Sequence, residues 1–154
     1  MNTIATAIVL VGILSAAVIY GTDLFCALVV RPAAGGAADA SIADLMGRIH
    51  EYGDRRLPVP GIVSILAAGL AVAVSDGAPA RIAAAVALVA LLAWLAVYLR
   101  ISAPINKKLR TAAADRTVPA DTRELQRSWD RVIWLRAFLQ AVALAGLLAV
   151  LVAD

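Results

Sequence analysis

Long apolar stretches separated by short polar interruptions dominate this chain. Four are long enough to matter: about Ile4 to Val30, about Val59 to Val74, about Arg81 to Ala103 and about Val132 to Ala153. An α-helix crosses the hydrocarbon layer with roughly 20 apolar residues, the scale of these stretches. None alternates polar and apolar with a period of two, so a β-barrel is not expected. Proline and glycine set the expected ends: Arg31-Pro32 closes the first span, Pro58 and Pro60 open the second, Asp76-Gly77 closes it, and Pro104 stops the third. The fourth helix is expected to start before its apolar part, near Thr122, after Pro119-Ala120-Asp121. Two connections are long. Within residues 33–58, Ile42, Leu45, Met46 and Ile49 recur at helical spacing among Asp44, Arg48, Glu51 and Asp54. That pattern predicts an amphipathic helix over about 40–55, lying at the membrane interface. The expected fold class is therefore all-α: a four-helix transmembrane bundle with an interfacial helix between helices 1 and 2. It forms a single membrane domain over residues 1–154.

Composition agrees with this reading. The chain is 62% hydrophobic with a mean hydropathy of +0.87, against about 45–50% apolar residues in soluble domains. A soluble fold of this size has too little interior to hide so much apolar surface. Aromatic residues make up only 5%, so the apolar mass is mainly Ala, Leu and Val, small side chains that let helix backbones approach closely in lipid. The N-terminus becomes apolar at Ile4 without a basic region before it, as in a retained first helix rather than a cleaved signal.

Charge then sets the orientation. Net charge is +3 with pI about 9.5, which in a soluble chain would raise nucleic-acid binding. Here the basic residues sit in the two long connections: Arg31, Arg48, Arg55 and Arg56 in the first, and Lys107, Lys108, Arg110, Arg116, Arg123, Arg127 and Arg131 in the second. Membrane orientation explains this, and no nucleic-acid partner is expected. Both connections should face the cytoplasm and both termini the outside, in a multi-pass protein of the inner cell membrane. The single cysteine, Cys26, cannot form an internal disulfide or a CxxC pair, which argues against a thiol oxidoreductase.

The candidate chemistry lies near the basic ends of the spans. Asp23 sits seven residues before the end of the first span, about 10 Å deep at 1.5 Å per residue. Arg100 and Arg136 fall at similar depth in the third and fourth spans, with Gln140 one turn deeper than Arg136. Charges there are costly unless paired or wetted, so Asp23 is expected to bridge to Arg136 or Arg100. Two arginines against one aspartate would leave surplus positive charge suited to a phenolate, enolate or carboxylate, unless Arg100 snorkels to the surface instead. Trp129, Arg136 and Gln140 share a helical face, as do Tyr20, Asp23 and Cys26. Trp94, Tyr98, Trp129 and Trp134 also fit an interfacial aromatic belt. The only histidine, His50, shares a face with Asp54 four residues on. One histidine is too few for a typical metal site, so no metal is expected. His50 fits either a hydrogen-bonded interface residue or a general base.

Four segments of the chain resemble the DUF1772, or anthrone oxygenase-like, family of small membrane proteins. They are Gly21-Thr22-Asp23-Leu24-Phe25 with Arg31-Pro32, Gly47-Arg48-Ile49-His50 through Arg56-Leu57-Pro58, Pro104-Ile105-Asn106, and Trp129-Asp130-Arg131-Val132-Ile133-Trp134-Leu135-Arg136. The resemblance covers nearly the whole chain. It implies a four-helix membrane protein, some of whose relatives oxygenate anthrones to anthraquinones in polyketide pathways without a conventional cofactor. Asn106, Trp129 and Arg136 match the family pattern. Where many members place a histidine four residues after the tryptophan, this chain has Ile133.

Two readings of function follow. In the first, a membrane enzyme acts on a small lipophilic aromatic or polyketide-like substrate, without a cofactor, by oxygenation or by anion-stabilised isomerisation or cyclisation. Asp23, His50 and Arg136 would be catalytic, and Tyr20, Asp54, Arg100, Asn106, Trp129 and Gln140 would bind substrate. In the second, the chain is a non-enzymatic membrane protein that binds lipid or a partner, or a small transporter, for which assembly into a homo-oligomer would be needed. A pocket where Asp23, His50 and Arg136 converge would favour the enzyme; a paired Asp23 in a filled interior would favour the scaffold.

Overall fold

Helix-favouring residues run through nearly every position from 3 to 153, the residues that a computed structural model of the chain describes. Residues 1–2 and 154 of the expected domain lie outside them. The elements in order are α1 (Thr3–Phe25), a π-helical turn (Cys26–Val30), α2 (Arg31–Gly36), α3 (Asp39–Arg56), α4 (Pro58–Val74), α5 (Ala78–Val97), a second π-helical turn (Tyr98–Ser102), α6 (Ala103–Asp115) and α7 (Thr122–Ala153). No strand occurs among the described residues.

The chain is a multi-pass membrane protein built as a helical bundle. The continuous helices Thr3–Gly36, Ala78–Asp115 and Thr122–Ala153 are each long and apolar enough to cross the bilayer. Helices α3 and α4 are long and apolar enough only together, as one span broken by a 43° bend whose apolar part is α4. Its 17 residues rise about 25 Å, close to the hydrocarbon thickness. Each crossing leaves large apolar side chains exposed on its outer side: Leu14 on α1, Leu66 on α4, Val89 on α5 and Phe138 on α7. Lipid is the solvent that can cover them.

Two proline expectations fail, for one reason. Pro32 was expected to end the first helix and Pro104 the third, yet the helices continue to Gly36 and to Asp115. Each proline takes the second position of the segment that follows a π-helical turn. Proline removes one backbone donor and crowds the carbonyl four residues earlier. Widening the preceding turn to the π form relieves that crowding, so the helix continues instead of stopping.

Small residues set the packing inside the membrane. Ala68, Ala71, Ala80, Ala84, Ala87 and Ala143 are completely buried and line one core with Val9, Leu91, Leu147 and Val150. Glycines allow the closest approaches. A Cβ on Gly146 would come within 2.8 Å of the Ala83 carbonyl oxygen, and one on Gly12 within 2.7 Å of the Ala67 Cβ. With no hydrophobic force between helices in lipid, such contact is what holds them together.

A second core lies beyond the first. Ile42 and Met46 of α3 pack with Leu109 of α6 and with Leu125, Trp129 and Ile133 of α7. Leu45 and Ile49, on the other flank of α3, remain exposed. Gly47 makes the α3–α6 contact possible, since a Cβ there would run into the Leu109 carbonyl and the Ala113 side chain. Backbone cannot yield as a side-chain tip can. Gly47→Val should therefore lower stability by about 1–3 kcal/mol in thermal unfolding in detergent. An unchanged midpoint would show that α3 sits more loosely on α6.

Candidate active site

The two cores meet at a cavity of about 410 Å³. That lies within the roughly 300–1,000 Å³ of small-molecule sites. Most of its wall is apolar: Ile19, Ile62, Ile65, Leu95 and Leu99 among others. The polar groups on the wall are few, and they arrive from five helices.

An ion pair forms one wall. The expected partner of Asp23 is Arg136, and the geometry is side-on: Arg136 Nη2 donates to Asp23 Oδ1 at 2.7 Å and Nε donates to Oδ2 at 3.1 Å. Both residues are buried. The third nitrogen, Nη1, donates to Ser102 Oγ at 2.9 Å. Trp94 Nε1 adds a bond to Asp23 Oδ2 at 3.2 Å. The guanidinium lies 5.6 Å from the Tyr98 ring centre and 5.8 Å from that of Trp129. Burying a carboxylate and a guanidinium is tolerable only with such complete pairing, and the aromatic faces add favourable electrostatics for the cation. Arg136 still keeps two of its five N–H donors beyond these three bonds.

A second network closes the loop end. Asp54 Oδ1 accepts from Tyr98 Oη at 2.7 Å and from Asn106 Nδ2 at 2.9 Å. Its other oxygen lies 3.7 Å from Arg110 Nη1. Helices α3 and α6 and the turn after α5 are thereby tied together by one carboxylate.

His50 stands between the two networks. It is buried, lines the cavity, and packs its ring 5.5 Å from that of Trp129. Among the described residues its Nε2 has no hydrogen-bond partner; nor does Asn106 Oδ1 or Trp129 Nε1. Helix α3, with seven charged residues, is not apolar enough to cross the membrane by itself, and burial there pushes the imidazole down to about 4, against the opposing pull of Asp54. His50 is therefore neutral at physiological pH.

Of the residues singled out from sequence, Asp23, His50, Asp54, Asn106, Trp129 and Arg136 share this cavity. Three do not reach it. Arg100 is exposed, because the π-helical turn points Tyr98 and Ser102 inward and leaves the position between them outside. The expected surplus of positive charge is thus absent: Asp23 and Arg136 pair one to one. Tyr20 lies on the neighbouring flank of α1, where Ile19 and Cys26 border Asp23 instead. Gln140 is completely buried but contributes no wall.

Trp94 and Tyr98, expected as belt residues, are wall residues here, and Trp129 is buried; only Trp134 is exposed as a belt residue would be. Sequence reasoning missed Ser102, an ordinary helix residue until the π-helical turn aims it at Arg136. The helical spacing of Trp94 and Tyr98, four apart, was the available signal for a shared inward face.

Residues 46–146, about two thirds of the chain, match the family described as anthrone oxygenase. The matched segment holds every polar wall group named above except Asp23. No curated protein and no solved structure matches the chain.

Proposed function

The chain belongs to the anthrone oxygenase family, and from that premise we propose that its cavity binds a planar, lipophilic anthrone or related polyketide aromatic and promotes its oxidation by dioxygen. One observation carries the reading. His50, Trp129 and Asn106 line a mostly apolar wall, and among the described residues His50 Nε2, Trp129 Nε1 and Asn106 Oδ1 are buried without partners. Leaving such groups unsatisfied costs about 1–3 kcal/mol each, which a bound ligand with complementary oxygens and hydroxyls would offset. An ion pair that merely braced the bundle would sit in a filled interior; this one borders an open one.

The roles divide by availability. Both oxygens of Asp23 are occupied by Arg136 and Trp94, so Asp23 holds Arg136 in place rather than serving as the base. His50 is the base: it is neutral, its Nε2 is free, and it lines the cavity. An anthrone's central CH₂ is acidic because losing a proton makes the middle ring aromatic. His50 Nε2 takes that proton. Negative charge then develops on the former carbonyl oxygen, where the Trp129 N–H and the uncommitted Arg136 N–H groups lower its energy as oxyanion donors do. The electron-rich anion reduces dioxygen, and recombination of the radical pair forms a C–O bond. The peroxide oxygen recovers a proton from imidazolium. Loss of the remaining C–H proton with cleavage of the O–O bond releases water and leaves the second carbonyl. One oxygen atom ends in the quinone and the other in water, and the substrate supplies all the electrons.

Purified protein given 1,8-dihydroxyanthrone should consume one dioxygen per quinone formed, faster than the spontaneous reaction. An oxygen electrode and the quinone absorbance measure both quantities. Uptake equal to that of buffer would sink the proposal.

A further inference from the structure

The cavity is walled unevenly, and the unevenness has a direction. At the loop end, Asp54, Tyr98, Asn106 and Arg110 form a hydrogen-bonded and ionic closure across α3, α5 and α6. The wall residues that are exposed are all apolar: Pro58, Ile49 at 39%, Ile62 at 57% and Leu99 at 57%. They come from α3, α4 and the π-helical turn after α5. Helix α4 packs on α1 and α5 but not appreciably on that turn. Ile62 and Leu99 are exposed on membrane-spanning helices, so the cavity borders the surface that lipid covers.

We infer that ligand enters and leaves this cavity sideways, from the bilayer, through the apolar mouth formed by Ile49, Ile62 and Leu99, and not from water. This rests on reading the cavity as a site for a lipophilic planar aromatic. A molecule of that class partitions into lipid, so the mouth opens onto the phase where it is concentrated. Passage through the loop end would require breaking the bonds of Asp54 and moving Arg110. Passage through the mouth requires only displacement of acyl chains and rotation of Ile62 and Leu99. Dioxygen, itself more soluble in hydrocarbon than in water, gains the same access.

A portal and a binding residue leave different kinetic marks. Filling a portal slows entry and exit alike and leaves the equilibrium constant nearly unchanged, whereas damaging a site changes affinity. The test uses the full chain in phosphatidylcholine nanodiscs with 1,8-dihydroxyanthraquinone, followed by stopped-flow quenching of tryptophan emission. Ile62→Phe with Leu99→Phe should slow association and dissociation by about tenfold each while Kd stays within about threefold. Arg110→Ala, which loosens the loop end, should alter neither rate by more than about twofold.

A second measurement leaves the mouth residues untouched. With Trp134→Phe removing the exposed indole, lipids brominated along the acyl chain should quench the remaining emission from Trp94 and Trp129, and bound quinone should protect against it. Unchanged rates in the phenylalanine pair, faster binding in Arg110→Ala, absent bromine quenching, or no quinone binding at all would each overturn the inference. Quinone binding with the expected kinetics but no oxygen uptake would retire the oxygenation reading and leave the route standing.

Discussion

Arg136→Met should lower the stability of the bundle by about 3–5 kcal/mol and abolish oxygen uptake. The stability loss follows from what remains behind. Asp23 would keep one neutral donor, Trp94, but lose two charge-assisted bonds and its counter-charge at a site screened from water. Ser102 would lose the guanidinium donor, and the faces of Tyr98 and Trp129 would lose the cation near them. The activity loss has a separate cause, removal of N–H donors aimed at the developing oxyanion. A double variant separates the two. Asp23→Asn with Arg136→Met removes both charges, and a buried ion pair exchanged for neutral groups is often nearly neutral in stability. Thermal unfolding should therefore recover most of the loss in the double variant, while oxygen uptake stays absent. Recovery of both would mean that the pair only braces the helices.

His50→Gln should reduce uptake by about a hundredfold to ten-thousandfold, the usual contribution of a positioned general base, with little change in folding. Glutamine preserves much of the bulk and the hydrogen-bonding capacity at this position but cannot take up a proton. The pH profile gives an independent check. Burial holds the folded imidazole at about 4 against 6.5 for the free side chain. Because the folded value is the depressed one, the unfolded chain binds the proton more readily between these limits. Stability attributable to His50 is therefore intact above pH 6.5 and falls as pH drops from 6.5 through about 4. Activity should likewise persist below pH 6 and decline only toward 4. An acid limb near 6.5 would place the essential base elsewhere, in a group exposed to solvent.

The membrane-spanning character and the polar end of the bundle could be read from the chain alone, because each depends on local sums. Hydropathy over some 20 residues decides whether a helix prefers lipid, and no partner is needed to compute it. The same holds for the depth of Asp23 and Arg136 and for the amphipathic pattern of Ile42 and Met46. A carboxylate and a guanidinium at equal depth in lipid have few alternatives to pairing.

What needed the fold was choice among equivalent candidates. Arg100 and Arg136 offered the same charge at the same depth, and a single π-helical turn sent one outward and brought Ser102 in its place. Pro104 carried the usual signature of a helix end, yet the helix continues past it because the π-helical turn before it makes room, and Leu109 and Ala113 then pack on the bare backbone of Gly47. Trp94 and Tyr98 had the composition of belt residues and became cavity wall because Asp23 and Asp54, distant in sequence, take their N–H and O–H. In each case the deciding term is contact between segments distant in sequence, whose energy appears only when the backbones are set against one another. A one-residue change in helical register reverses which side chain faces in, and no property of the residues themselves records that register.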